Sequence, residues 1–182
     1  DVRFDLGRIE GYKNFCNKIW NAARYVLMNT EDISDGDTEF SAADRWIQAR
    51  FDETVTTVHE CFATYRLDLA AKAIYEFTWN EFCDWYLELS KPVLQSDDID
   101  SARQRGTRQS LVEVLEQLLR LLHPVMPFIT EEIWQQVAPR AGIDEPTIML
   151  QPFPEPAAES ASQQAVADIE WVRKFILGIR QI

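Results

Sequence analysis

The apolar residues of this chain recur at helical spacing over nearly its whole length, and this periodicity limits the possible folds more than any other feature. Spacings of three and four residues indicate amphipathic helices. They occur at about 6–28, 41–64, 68–90, 101–122, 127–138 and after residue 160. Only six glycines interrupt the 182 residues, which argues against a turn-rich β fold. The pattern predicts an all-α fold, an antiparallel helix bundle of about five helices with a C-terminal piece.

Local signals predict several helix ends. Ser41 with Asp44, and Ser101 with Gln104, have the spacing of capping boxes at helix starts. Pro92 is predicted to end the third helix, because proline lacks the backbone N–H that a helix interior needs. Before that proline, the third segment carries six aromatic residues around its whole circumference, which is typical of a central core helix.

The C-terminal part of the chain differs in composition from the rest. Prolines at positions 152, 154 and 156 are followed by alanine and serine residues, and they predict a linker. The chain is therefore divided into a helical domain at 1–150 and a segment at 151–182, in which Ser160 and Gln163 are spaced as a helix cap. The last helix is still amphipathic near residue 182 and shows no stop signal, so we expect a truncated C-terminal helix.

The composition indicates a folded protein without a membrane segment. Hydrophobic residues make up 46% of the chain, and no apolar run approaches the roughly 20 residues that cross a bilayer. Cys16, Cys61 and Cys83 are an odd number without a C-x-x-C motif, which argues against a disulfide framework and a zinc site. Buried free thiols in a reducing cytoplasm are the simplest interpretation.

The sequence contains no recognisable catalytic or metal centre. The motifs G-x-G-x-x-G, P-loop, H-E-x-x-H and G-x-S-x-G are all absent. Neither His59 nor His123 has a glutamate three residues before it, as a di-iron helix bundle would need. We therefore expect no catalytic residue, no metal site and no cofactor in this chain.

The net charge of −12 argues against nucleic-acid binding by the chain as a whole, because phosphates require local positive potential. The acidic excess is unevenly distributed. Residues 1–28 hold five basic and three acidic residues, residues 29–100 hold five and seventeen, and residues 101–182 hold eight and ten. The two ends of the chain are therefore still able to face an anion.

Polar residues form a stripe on the first predicted helix, at Asn14, Lys18, Asn21 and Tyr25. At about 100° per residue, the stripe lies almost opposite the apolar face. Amides, an ammonium group and a phenol are suited to hydrogen-bond base edges, neutralise a phosphate and stack on a base. On spacing alone, an ordinary solvated face explains the stripe better, because isolated exposed aromatic residues are common.

Three longer strings carry a family resemblance. They are GYKNFCNKIWNAARY at 11–25, WNEFCDWYLE at 79–88 and LHPVMPFITEEIW at 122–134. Together they resemble the anticodon-binding region of the bacterial valyl-tRNA synthetases, and the similarity runs through the whole chain. The third string is shared loosely with other class I synthetases, whereas the first two point to the valine enzymes.

The resemblance implies a helical bundle that follows a Rossmann-type catalytic domain and grips the anticodon stem-loop of tRNA(Val). In such enzymes the catalytic domain joins valine to tRNA with ATP and Mg²⁺ and carries the HIGH and KMSKS motifs. Neither motif occurs here, so the resemblance implies a non-catalytic part of a valine–tRNA ligase, with its final helix leading to a coiled-coil arm. It implies tRNA(Val) and the rest of the synthetase as partners, in a cytoplasmic monomer without a membrane anchor.

The resemblance also implies which residues meet the anticodon. By motif it points to Lys18 for a phosphate or a base edge, Tyr25 for stacking and Leu87 for an apolar contact. Arg8 lies in a less distinctive stretch and is implied for the RNA backbone. Asn21 joins this group only through the geometry of the polar stripe.

Two other functions remain open from the sequence. One is an anticodon-binding module of another class I synthetase, such as the isoleucine enzyme, which competition between tRNAs would distinguish. The other is a helical protein-interaction bundle with no RNA role, which the acidic middle and the apolar terminal helix would suit. A salt-sensitive gel shift with valine tRNA separates this second alternative from RNA recognition.

The chain is predicted to catalyse no valine-dependent exchange of pyrophosphate into ATP, because it has no nucleotide-binding motif. The measurement is a pyrophosphate-exchange assay on protein freed of host synthetases. Exchange activity that follows the protein through purification would overturn this interpretation.

Overall fold

The computed structural model describes residues 6–31, 35–96, 101–157 and 163–180. Within these ranges all regular secondary structure is helical, as predicted, and no helix is both long and apolar enough to span a bilayer. Two short 3₁₀ turns, Ala138–Ala141 and Ile148–Leu150, follow the sixth α-helix. The α-helices are α1 (Leu6–Asn29), α2 (Ala42–Ala63), α3 (Leu67–Glu76), α4 (Leu87–Leu94), α5 (Ala102–Leu122), α6 (Pro127–Val137) and α7 (Gln163–Arg180).

A π-helical segment, Phe77–Tyr86, joins α3 to α4, and the three pieces form one continuous run that we call the third helix. π-Helices are rare, usually last a single turn and often occur at functional sites. The prediction that Pro92 ends this helix is wrong, because the helix continues to Leu94. Near a helix end, proline removes only one hydrogen bond, here to the carbonyl of Glu88, which lies at an exposed position.

α2 and the third helix are antiparallel neighbours, as their short connection predicts. Asp44, near the start of α2, contacts Tyr86, late in the third helix. Further along α2, the ring of Phe51 lies 5.4 Å from the ring of Phe77, which is earlier in the third helix. Both rings are buried, so this contact belongs to the hydrophobic core.

α1 runs parallel to the third helix on another side of it. Lys18 contacts Asp84, and one and a half to two turns later Tyr25 contacts Ser90, so the contacts advance along both helices together. The core-facing side of α1 is apolar and buried, at Phe15, Ile19, Ala22, Ala23 and Val26. This packing brings the polar side of α1 to the edge of the third helix.

Asp44 is a buried carboxylate that ties three helices together. It accepts hydrogen bonds from the Ser41 backbone N–H at 2.8 Å, the Tyr86 hydroxyl at 2.7 Å and the Thr107 hydroxyl at 2.8 Å. The Asp44 N–H donates back to the Ser41 hydroxyl, which confirms the predicted capping box. Burial, with Asp44 beside it, raises the pKa of Tyr86 well above its usual value, so the phenol remains a donor.

The second predicted capping box, at Ser101, is formed only in part: the Ser101 hydroxyl accepts the backbone N–H of Gln104, but the Gln104 side chain bonds elsewhere. The Gln104 side-chain amide donates to the carbonyls of Val93 and Ser96, both at 3.2 Å. It therefore supplies a donor to carbonyl groups at and just after the end of the third helix, where intrahelical donors run out. One residue thus connects the start of α5 to the end of the third helix.

α7 packs against α2, and the proline-rich segment before it also contacts α2. The Arg173 guanidinium lies 5.3 and 5.2 Å from the rings of Trp46 and Trp85, and the Trp46 indole N–H donates to Glu170 at 3.4 Å. Ser160, the predicted cap of this helix, lies outside the described residues. The division at residue 150 and the truncation of the last helix stay predictions.

Replacing Tyr86 by phenylalanine should remove one donor from the buried Asp44 carboxylate and lower the free energy of unfolding by about 1–3 kcal/mol. Urea denaturation measures the change. Tyr65→Phe is the matched control, because Tyr65 is 89% exposed and should stay within about 0.5 kcal/mol of the unsubstituted chain. Equal stability of both variants would show that the Asp44 cluster does not support the fold.

Candidate nucleic-acid interface

A shallow groove of about 240 Å³ lies between α1 and the third helix. It brings together four of the five predicted site residues, namely Lys18, Asn21, Tyr25 and Leu87. The remaining lining comes from Ala22, Cys83, Glu88 and Lys91. Arg8 lies on the first turn of α1, and its side chain is outside the described part of the structure.

The polar stripe predicted on α1 is only partly exposed to solvent. Asn14 and Asn21 are exposed, but the Lys18 side chain is only 28% exposed and Tyr25 is half-buried. The expectation of a solvated face is therefore wrong for Lys18 and Tyr25. The physical reason is that the third helix packs beside this part of α1 and covers the side chains that point toward it.

Lys18 is held at one wall of the groove by two interactions. Its ammonium group forms an ion pair with Asp84 and lies 4.5 Å from the ring centroid of Trp79. Trp79 is itself stacked on Tyr75 with a centroid separation of 5.7 Å. A cation over an indole ring gains about 0.5–2 kcal/mol, depending on its hydration. Lys18 is thus preoriented, and its charge is balanced by a carboxylate.

Tyr25 is oriented by a short chain of hydroxyl groups. Its hydroxyl lies 2.9 Å from the Ser90 hydroxyl, and the Ser90 hydroxyl donates to the Leu87 carbonyl at 2.8 Å. Because the Ser90 proton is used in that way, the Tyr25 hydroxyl is the donor in the first bond. Burial raises the pKa of Tyr25, so the phenol is neutral at physiological pH.

The groove has an apolar floor and no net charge at its rim. Leu87 is 8% exposed, so it presents only a small apolar surface beside Ala22. The second lysine of the rim, Lys91, bonds to Glu88 at 2.6 Å. Each lysine is therefore matched by a carboxylate, and the groove offers donors, acceptors and the aromatic ring of Tyr25. Such a surface suits a nucleobase, with its polar edge and apolar faces, better than a phosphate.

Sequence reasoning missed the third-helix residues that line the groove beside Leu87, and also Asp84 and Ser90, which bond to Lys18 and Tyr25. Asp84 lies in the same string as Leu87, the one at 79–88 that carries the family resemblance, so the string itself was the available signal. Ser90 lies just beyond that string, and only the parallel packing of the two helices reveals its contact with Tyr25. Across the described residues, no group of three or more His, Cys, Asp or Glu side chains is arranged to hold a metal ion.

Comparison with known proteins identifies the family. The family described as the anticodon-binding domain of tRNA ligase matches residues 44–182. This chain belongs to that family. The matched range contains the third-helix wall of the groove, while the α1 wall lies before it. Membership bears out the predicted helical, anticodon-binding character of the domain.

A second comparison includes α1, which forms the other wall of the groove. Two proteins named valine–tRNA ligase, from Legionella pneumophila strains Lens and Paris, are each 52% identical to this chain over 186 aligned residues. The alignments cover the whole of this chain and 20% of each relative. The chain therefore spans 20% of the length of the curated relatives that it matches.

Cys83 provides a chemical probe of the groove. Burial raises the pKa of its thiol to about 12, so the reactive thiolate is scarce until the pH approaches that value. At pH 8 we expect alkylation by iodoacetamide to be roughly three orders of magnitude slower than for a thiol of ordinary pKa. Mass spectrometry of digested protein measures the rate. The same reaction in urea is the control, and equal rates with and without urea would contradict the packing of Cys83.

Proposed function

We propose that this chain recognises the anticodon stem-loop of tRNA(Val) as part of a valine–tRNA ligase. The observation that carries the proposal is the groove, because it gathers Lys18, Asn21, Tyr25 and Leu87 from two helices that lie far apart in sequence. The names of the relatives and the description of the family support the same function. The specificity for valine tRNA rests on the relatives and on the first two strings.

Each groove residue contacts a different part of the base. Tyr25 offers the ring for stacking, which does not depend on base identity, and Leu87 adds an apolar contact at the floor. Lys18 and Asp84 together present a donor and an acceptor to a base edge. Because Asp84 already neutralises Lys18, the ion pair supports a base edge rather than a phosphate as the Lys18 partner. Asn21 adds an exposed amide, and Arg8 is assigned to the RNA backbone.

The remaining parts of the proposal concern the whole enzyme. The larger protein joins valine to its tRNA, and ATP and Mg²⁺ serve that reaction in a separate catalytic domain. This chain supplies recognition and no reacting group. We assign the protein to the cytoplasm and propose that it acts as a monomer.

The test measures binding of an RNA hairpin that carries the valine anticodon. Tyr25→Ala should weaken binding by about 1–3 kcal/mol, because it removes a stacking ring, while Tyr25→Phe should bind nearly as well as the unsubstituted chain. Tyr65→Ala is the matched control, since Tyr65 is exposed and lies outside the groove. Thermal melting accompanies each variant, because Tyr25 is half-buried.

Lys18→Ala tests how the groove reads the base. We expect discrimination between the valine hairpin and an anticodon-swapped hairpin to fall, with little change in the salt dependence of binding. An RNA hairpin that carries the isoleucine anticodon serves as the competitor, because a module of the isoleucine enzyme is the alternative that the sequence leaves open. If folded Tyr25→Ala and Lys18→Ala both bind and discriminate like the unsubstituted chain, the anticodon does not enter this groove.

A further inference from the structure

α1 has a second exposed side next to the groove. We call it the outer face, and it consists of Lys13, Asn17, Trp20 and Arg24. All four residues are exposed, and the Trp20 residue is 44% exposed although its side chain is large and apolar. At about 100° per residue, they lie within one narrow sector that adjoins the sector of the groove residues. A molecule that fills the groove can therefore reach the outer face across their shared border.

The segment that carries the outer face is free of acidic residues. The chain has 30 Asp and Glu residues, yet residues 11–30 contain none and include three basic residues. Among the described residues, Lys13 and Arg24 have no carboxylate partner, whereas Lys18, Arg50 and Arg120 are paired with carboxylates. Glu10 lies one turn before Lys13 but forms no ion pair with it, so among the described residues neither cation of the outer face has a directly bound carboxylate.

Two arginines from elsewhere in the bundle add to this positive potential at the end of α1. Arg108 donates to the carbonyl of Asn29 at 3.2 Å, and Arg140 donates to the carbonyl of Leu27 and to the Thr30 hydroxyl. Within the described part of the chain, both guanidinium groups bond to neutral groups rather than to carboxylates. They cap carbonyls of the last helical turn and oppose the negative end of the helix dipole. Arg24 thus lies near a helix end whose negative potential is offset.

We propose that the outer face binds the phosphodiester backbone of the RNA whose anticodon bases enter the groove. This inference rests on the proposed function. Lys13 and Arg24 are eleven residues apart, which is about 16 Å along a helix. That length matches about five stacked nucleotides at 3.4 Å each. Between the two cations, the Asn17 amide and the Trp20 indole N–H are donors suited to phosphate oxygens and ribose hydroxyls.

The two surfaces then have different tasks. The groove is neutral at its rim and distinguishes bases, while the outer face is positively charged and supplies affinity that is independent of sequence. Phosphate contacts release counterions, so they make binding dependent on salt, and base contacts do so much less. Salt dependence and discrimination are therefore separate measurements of the two surfaces.

The experiment uses Lys13→Ala, Arg24→Ala and the double variant, with the valine hairpin and an anticodon-swapped hairpin as probes. Fluorescence anisotropy at several salt concentrations gives the slope of log K against log salt. Each substitution should lower the magnitude of the slope by about one and weaken both hairpins by the same factor. The matched control is the Arg45→Ala, Lys174→Ala double variant, since both side chains are exposed on other helices and have no ion pair among the described residues.

The outcomes distinguish this inference from the proposed function. If Tyr25→Ala weakens binding but the Lys13 and Arg24 double variant keeps the full slope, the outer face does not contact phosphates and the proposed function stands. An equal loss of slope in the control variant also overturns the inference, because the effect would then reflect overall charge. If the unsubstituted chain binds neither hairpin, both proposals fail.

Discussion

The buried carboxylate of Asp44 sets the rotation of the third helix, and the groove depends on that rotation. Asp44 bonds to Tyr86, which directly precedes Leu87 in the chain, and to Thr107 on α5. A buried acceptor that loses its donors is costly, so other rotations of the third helix are disfavoured. With Tyr86 turned toward Asp44, Asp84 and Ser90 are directed to α1, where they meet Lys18 and Tyr25.

The same arrangement explains how a strongly acidic chain can offer a surface to RNA. The net charge of −12 arises in residues 29–100, the part of the sequence that includes α2 and the third helix. α1 has an acid-free stretch over residues 11–30, and the lysines of the groove are paired. Local potential, rather than total charge, decides where a phosphate binds. The acidic surface elsewhere disfavours RNA in other positions.

Signals between residues close in sequence predicted where helices begin. The predicted boxes at Ser41 and Ser101 depend on neighbours three residues away. The box at Ser41 is complete, whereas at Ser101 only the bond to the serine hydroxyl is formed. The prediction from Pro92 was wrong because a proline disrupts a helix less when the helix end is near. The π-helical segment was not predicted, because no signal as strong as a capping box marks a π-helix in the sequence. The spacing of residues along one helix gives their positions around that helix but says nothing about neighbouring helices. It therefore did not reveal that the third helix covers Lys18 and Tyr25. Their partners lie 66 and 65 residues away in sequence.

If both proposals hold, RNA binds along α1 and the adjoining edge of the third helix. An NMR titration of ¹⁵N-labelled chain with the valine hairpin tests it most directly, because each backbone amide reports its own surroundings. We expect the largest chemical-shift changes within residues 13–25 and 83–91, and small changes on the faces of α2 and α7 that carry Arg45 and Lys174. Largest changes on those other faces, or no changes at saturating RNA, would contradict it.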